Sequence, residues 1–158
     1  MELRFKTGSF EELYEVITRL NLRNIFTTNI DDLIEKIYDL RQYINIVDRN
    51  GISRDPGNAI DYFALHGSVS RFDENRKVIF SSADLASAFA DDPDRWHILR
   101  ERLSILPSLW WGTDARDSGV LQALKPLTQQ VKPGVHRWML VGPDKGAGAQ
   151  EVFRALGF

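Results

Sequence analysis

Short apolar runs of strand length alternate along this chain with stretches whose apolar residues repeat at helical period, and that alternation restricts the fold more than any other feature. Phe10, Leu13, Ile17 and Leu20 fall on one face of a 3.6-residue period, which predicts an amphipathic helix. Asn24-Ile25-Phe26-Thr27 then reads as a strand, Leu33, Ile34, Ile37 and Leu40 as a second helix, and Tyr43 to Val47 as another strand. The polar stretch 48–58, with Gly51 and Asp55-Pro56-Gly57, is rich in turn formers and predicts an exposed loop. Tyr62-Phe63-Ala64-Leu65 resumes the sheet.

Val78-Ile79-Phe80 reads as a strand returning from the polar turn 73–76, and Ser81 with Asp84 offers a capping box for a helix bearing Leu85 and Phe89. Asp92-Pro93 opens the next helix, whose stripe of Trp96, Leu99, Leu103 and Leu106 stops at Pro107. Leu109-Trp110-Trp111 is expected to be a buried strand. A helix bearing Val120, Leu121 and Leu124 follows, then a strand from Trp138 to Val141 and a closing helix to Leu156. Parallel neighbours need crossover connections, and those are usually helical. Strands separated by helices therefore predict an α/β fold, a three-layer, Rossmann-like, mostly parallel sheet with helices on both faces, built as a single domain over 1–158.

Charge and composition narrow the class of partner. Twenty basic residues against twenty-two acidic ones give a net charge of -2, which provides no field to concentrate nucleic acid or an anionic membrane. Neither is expected as a partner. With no cysteine the chain has no disulfide framework and no thiolate zinc site, and no metal is expected. The first residues, Met1 to Lys6, alternate charged and apolar side chains, and no segment approaches the roughly 18 consecutive apolar residues of a membrane helix. A cytoplasmic location is expected.

In a doubly wound sheet ligands bind beyond the carboxyl ends of the strands. That rule selects 27–31, 66–68, 112–117 and 142–148. Thr27-Thr28-Asn29-Ile30-Asp31-Asp32 joins a strand to a helix and gathers an amide, two hydroxyls and two carboxylates on one turn. Helix capping alone accounts for such a composition, because these side chains satisfy free backbone N–H groups. The functional account is that the carboxylates repel phosphate but accept hydrogen bonds from ribose hydroxyls or a carboxamide. His66, followed by Gly67, ends an apolar strand; its imidazole suits general-base work near neutral pH, and the glycine allows close approach. A lone histidine is more often structural, and His97 and His136 are read that way.

Taken together, Thr27-Thr28-Asn29-Ile30-Asp31 followed by Leu65-His66-Gly67 resembles the sirtuin family in order and spacing. Gly112-Thr113 looks like the family's later turn toward the adenosine ribose, and Trp138 to Gly142 like its next nucleotide-side strand. Trp110 to Gly119 and the closing 153–158 look closer to the sirtuin-like domains of bacterial anti-phage systems, which hydrolyse NAD. The resemblance implies that Asn29 orients the nicotinamide ribose or the attacking water, that Asp31 holds the carboxamide, and that His66 is the base. It further implies NAD contacts at Thr27, Thr28, Gly67, Gly112, Thr113 and Gly142.

Three departures qualify the likeness. Thr28 stands where sirtuins usually carry glutamine. No cysteine is present for the four-cysteine zinc ribbon of the deacylases, so water rather than an acylated lysine is the expected acceptor. The family's opening strand and Gly-Ala-Gly-x-Ser turn have no counterpart in 1–24, so the domain is expected to lack its N-terminal glycine-rich unit; Gly146-Ala147-Gly148 follows the last strand and reads as an ordinary loop. The resulting expectation is an NAD glycohydrolase, releasing nicotinamide and ADP-ribose, in anti-phage defence. The alternative is a non-catalytic module that binds NAD or ADP-ribose, or a partial domain needing upstream residues, with a homo-oligomer or an attached effector domain as its partner.

Overall fold

The computed structural model describes residues 8–38, 44–46, 60–71, 78–91, 96–112, 125, 133–140 and 147–155. The chain divides into two compact units, Met1–Ser87 and Ala88–Phe158. In the first, a 3-10 helix, Glu12–Arg19, precedes strand β1, Asn24–Thr27. Helix α1, Leu33–Ile37, strand β2, Ile44–Ile46, and strand β3, Ile60–Ala64, follow. β3 is central in the order β1-β3-β2, and both ladders are parallel.

Burial on both of its faces, at Tyr62 and Phe63, suits β3 to the central place. Ile60, Tyr62 and Ala64 share one face, where Tyr62 and Tyr38 form a core with Ile17, Ile25, Ile34 and Ile37. Phe63 points to the opposite face and stacks on its ladder partner Phe26, with ring centroids 4.5 Å apart and planes 11° off parallel. A parallel strand buried on both faces belongs inside a sheet rather than at its edge. Tyr38 closes the core from α1: its hydroxyl donates to the Ile17 carbonyl at 3.0 Å, which ties α1 to the 3-10 helix. Burial raises the pKa of that phenol above the ordinary 10.0.

Helix α2, Ser82–Asp91, leads from the first unit into the second. Its start is the expected capping box: Asp84 Oδ2 accepts from the Ser81 N–H at 3.1 Å, and Ser81 Oγ accepts from the Asp84 N–H at 3.1 Å. Helix α3, His97–Ile105, buries Leu99 and Leu103, with Trp96 just before it only 1% exposed and edge-on to Phe89 at 5.2 Å. Leu106 is already extended ahead of Pro107, as a residue before proline tends to be. Strands β4, Ser108–Trp111, and β5, Arg137–Leu140, pair in parallel, and the closing helix spans Ala147–Ala155.

Three local expectations change. The first helix winds at three residues per turn, so Tyr14 and Ile17 come into line and are half-buried, while Leu13 is 64% exposed and Leu20 is also exposed. Val78, Ile79 and Phe80 are not in a ladder; Val78 and Ile79 are buried in an irregular segment. β4 is not a buried strand, since Leu109 and Trp111 are exposed on the same face as their partners Trp138 and Leu140. Leu40, Tyr43, Val47, the 48–58 loop, the 73–76 turn, Asp92-Pro93, the stretch with Val120, Leu121 and Leu124, Val141 and Leu156 lie outside the described residues.

Two stability measurements follow. Ser81→Ala removes half of the capping box and is expected to cost about 1 kcal/mol in urea unfolding. Tyr38→Phe is expected to cost about 1 kcal/mol near neutral pH through the lost hydrogen bond. The pH dependence has a definite sign. Because the folded phenol has a raised pKa, its contribution is fully present below the unfolded value near 10.0 and is lost as pH rises through the folded one. The wild-type chain should therefore lose more stability above that pH than Tyr38→Phe does, and parallel losses would refute the assignment.

Candidate functional site

Parallel pairing brings the carboxyl ends of β1 and β3 side by side. Their ladder ends at Thr27↔Ala64, and Asn29 and His66 each follow by two residues. Backbone hydrogen bonds extend the pairing past the strands: the Leu65 N–H donates to the Thr27 carbonyl at 2.9 Å, and the Val69 N–H to the Ile30 carbonyl at 2.8 Å. The two turns are thus tied to each other at two points. This gathers Thr27, Thr28, Asn29, Asp31, His66 and Gly67 at one end of one sheet.

Within the first turn, local bonds fix the backbone on either side of Asn29. Thr27 Oγ1 accepts from the Asn29 N–H at 3.0 Å, and Asp31 Oδ1 accepts from the Leu33 N–H at 3.0 Å. The second of these is an Asx turn made by the residue before the N-cap, Asp32, whose own side chain makes no capping bond. Asp32 is 7% exposed and pairs with Lys36 one turn on, at 3.6 Å. Asn29 is exposed, whereas Thr27, Thr28 and Asp31 are half-buried.

The second turn is as closely defined. Gly67 has φ +88°, a left-handed conformation that disfavours a side chain, and its N–H donates back to the Ala64 carbonyl at 3.1 Å. His66 is half-buried with Nε2 shielded from solvent, and its carbonyl accepts from the Ile79 N–H at 2.9 Å. Val78-Ile79 therefore serves as a brace for the histidine turn rather than as a strand. An amide on one turn and an imidazole on its neighbour can orient a hydroxyl or water and accept its proton.

Behind these turns lies a polar cluster that the sequence did not reveal. Glu35 of α1 is 3% exposed and Ser68 4%. Ser68 Oγ donates to Glu35 Oε1 at 3.0 Å, Ser70 Oγ donates to Glu35 Oε2, and the two hydroxyls lie 2.8 Å apart. The only cue in the chain was Ser68 and Ser70 spaced by two after the histidine; nothing local marks Glu35, whose partners are 33 and 35 residues away.

The remaining expected positions belong to the second unit. Gly112 follows β4 at φ +71°, and a Cβ placed there would meet nothing within 4 Å, so backbone conformation rather than space calls for glycine. Thr113 and Gly142 lie outside the described residues, as does 114–119. His97 and His136 are exposed, the latter 5.8 Å from the Trp138 ring. Among the described residues no cluster of three His, Asp or Glu side chains is arranged to hold a metal, and no helix is long and apolar enough to cross a membrane.

A SIR2-like domain model matches the chain over residues 23–157. No curated protein gives a match. The matched span starts at the residue before β1 and takes in both turns, strands β1 to β5 and the closing helix; among the described residues, the 3-10 helix Glu12–Arg19 lies upstream of it. The chain therefore belongs to the SIR2-like domain family.

Proposed function

We propose that this domain hydrolyses NAD at the bond between nicotinamide and ribose, yielding nicotinamide and ADP-ribose. SIR2-like domains use NAD, and the observation that carries the reading is the equal offset of Asn29 and His66 beyond the paired ends of β1 and β3. The reading brings with it a three-layer, Rossmann-like sheet, a cytoplasmic setting and a part in anti-phage defence.

The chemistry asks for little more than such a pair. Cleavage sends the electron pair of the C1′–N bond onto the pyridinium nitrogen, so nicotinamide leaves neutral and the ribose carries oxocarbenium character. Water then adds to C1′ and loses a proton, which gives ADP-ribose. Because the leaving group is already activated, placing the water and receiving its proton account for most of what the protein supplies. In this reading the Asn29 amide orients the water or ribose, His66 takes the proton, and Asp31, with Oδ1 engaged by the Leu33 N–H, offers its carboxylate to the carboxamide. Thr27, Thr28 and Gly67 line the same strand ends.

Chromatographic assay of NAD incubated with the purified protein should show nicotinamide and ADP-ribose in equal amounts. His66→Ala should lower the rate on the order of 100-fold to 10,000-fold. Calorimetric binding of NAD without nicotinamide release would instead identify a sensing module, and a rate unchanged in His66→Ala would remove the base from its role.

A further inference from the structure

We propose that Glu35 is a positioning residue: its buried carboxylate, by accepting from Ser68 and Ser70, holds the His66-Gly67 turn against the turn that carries Asn29. The inference rests on the proposed hydrolysis of NAD and deepens it. A carboxylate only 3% exposed is costly unless its oxygens are hydrogen-bonded. Here each oxygen receives a serine hydroxyl, and both serines lie within four residues of His66. The carboxylate itself sits on α1, six residues beyond Asn29. The cluster thus joins the element following the first turn to the element following the second, and between them the Ile30 carbonyl receives the Val69 N–H at 2.8 Å.

This arrangement differs from ordinary core polarity in what it holds. The hydrophobic cluster around Tyr38 and Tyr62 packs against the sheet, whereas beyond the histidine the buried apolar residues Val69, Val78 and Ile79 flank the polar cluster. Gly67, with its left-handed backbone, allows the chain to pivot just after the imidazole. The anchor one residue further on, Ser68, removes that freedom. Loss of the anchor should therefore leave the sheet intact while displacing His66, and a displacement of about 1 Å can cost on the order of 100-fold in rate.

The test combines kinetics with amide hydrogen exchange on the labelled full chain. Glu35→Ala is expected to lower kcat for nicotinamide release on the order of tenfold to 100-fold with KM little changed. Exchange should quicken at Val69 and Ile79, whose amides bond to Ile30 and His66, but not at Tyr62 in the sheet. Glu35→Gln, which keeps one oxygen and adds a donor the hydroxyls can accept, should restore part of kcat. Should Glu35→Ala fail to fold, Ser68→Ala removes the 3.0 Å bond to Glu35 together with the contacts of that hydroxyl to Ser70, leaves the carboxylate in place, and carries the same readings. If wild-type protein releases no nicotinamide, the proposed hydrolysis fails, and unchanged exchange at Val69 in the variant overturns the clamp separately. Wild-type kcat in both variants, with or without faster exchange, would also overturn it.

Discussion

The parallel pairing of β1 with β3 is the constraint on which the first unit depends. It places two chain segments far apart in sequence at the same level and pointing the same way, so whatever follows each strand emerges at a shared end. A parallel pair differs here from a hairpin, whose neighbouring strands run in opposite directions. The pairing is held from both faces, by the Tyr38–Tyr62 core on one and the Phe26–Phe63 stack on the other. The turns then inherit the register of the ladder through the bonds from Leu65 to Thr27 and from Val69 to Ile30.

Much of this was legible because local chemistry coincided with the final environment. β1 was readable residue for residue, since its short apolar run is bounded by polar turns. Ser81 and Asp84 signalled a capping box because both partners lie within one helical turn. The candidate site was legible for a different reason: a polar turn bearing one amide and a histidine-glycine turn each end a strand, and strand ends gather where strands are parallel.

The misreadings came from features that local pattern does not encode. A stripe at spacing of three and four suits an α-helix, yet Leu13 is exposed, and Tyr14 rather than Leu13 lies inward with Ile17 where the backbone winds at three residues per turn. Leu109 and Trp111 are as apolar as core residues, but whether a strand face is covered depends on what packs against it, and this face is open together with Trp138 and Leu140. Glu35 was invisible for the opposite reason. A charged residue within a short helix reads as a solvated one until its distant serine partners are known.

A polar turn at the start of a helix is often explained by capping alone, but in the turn after β1 the hydrogen bonds fall to particular residues. Thr27 fixes the Asn29 amide, Asp31 fixes the Leu33 amide, and Asp32 pairs with Lys36, so the backbone demands of the turn are met by the residues flanking Asn29. The Asn29 side chain is left exposed on a backbone that others hold rigid. A turn that merely capped a helix would need one such acceptor. One that presents an amide at a fixed place needs support on both sides of it, and that support is what Thr27 and Asp31 provide.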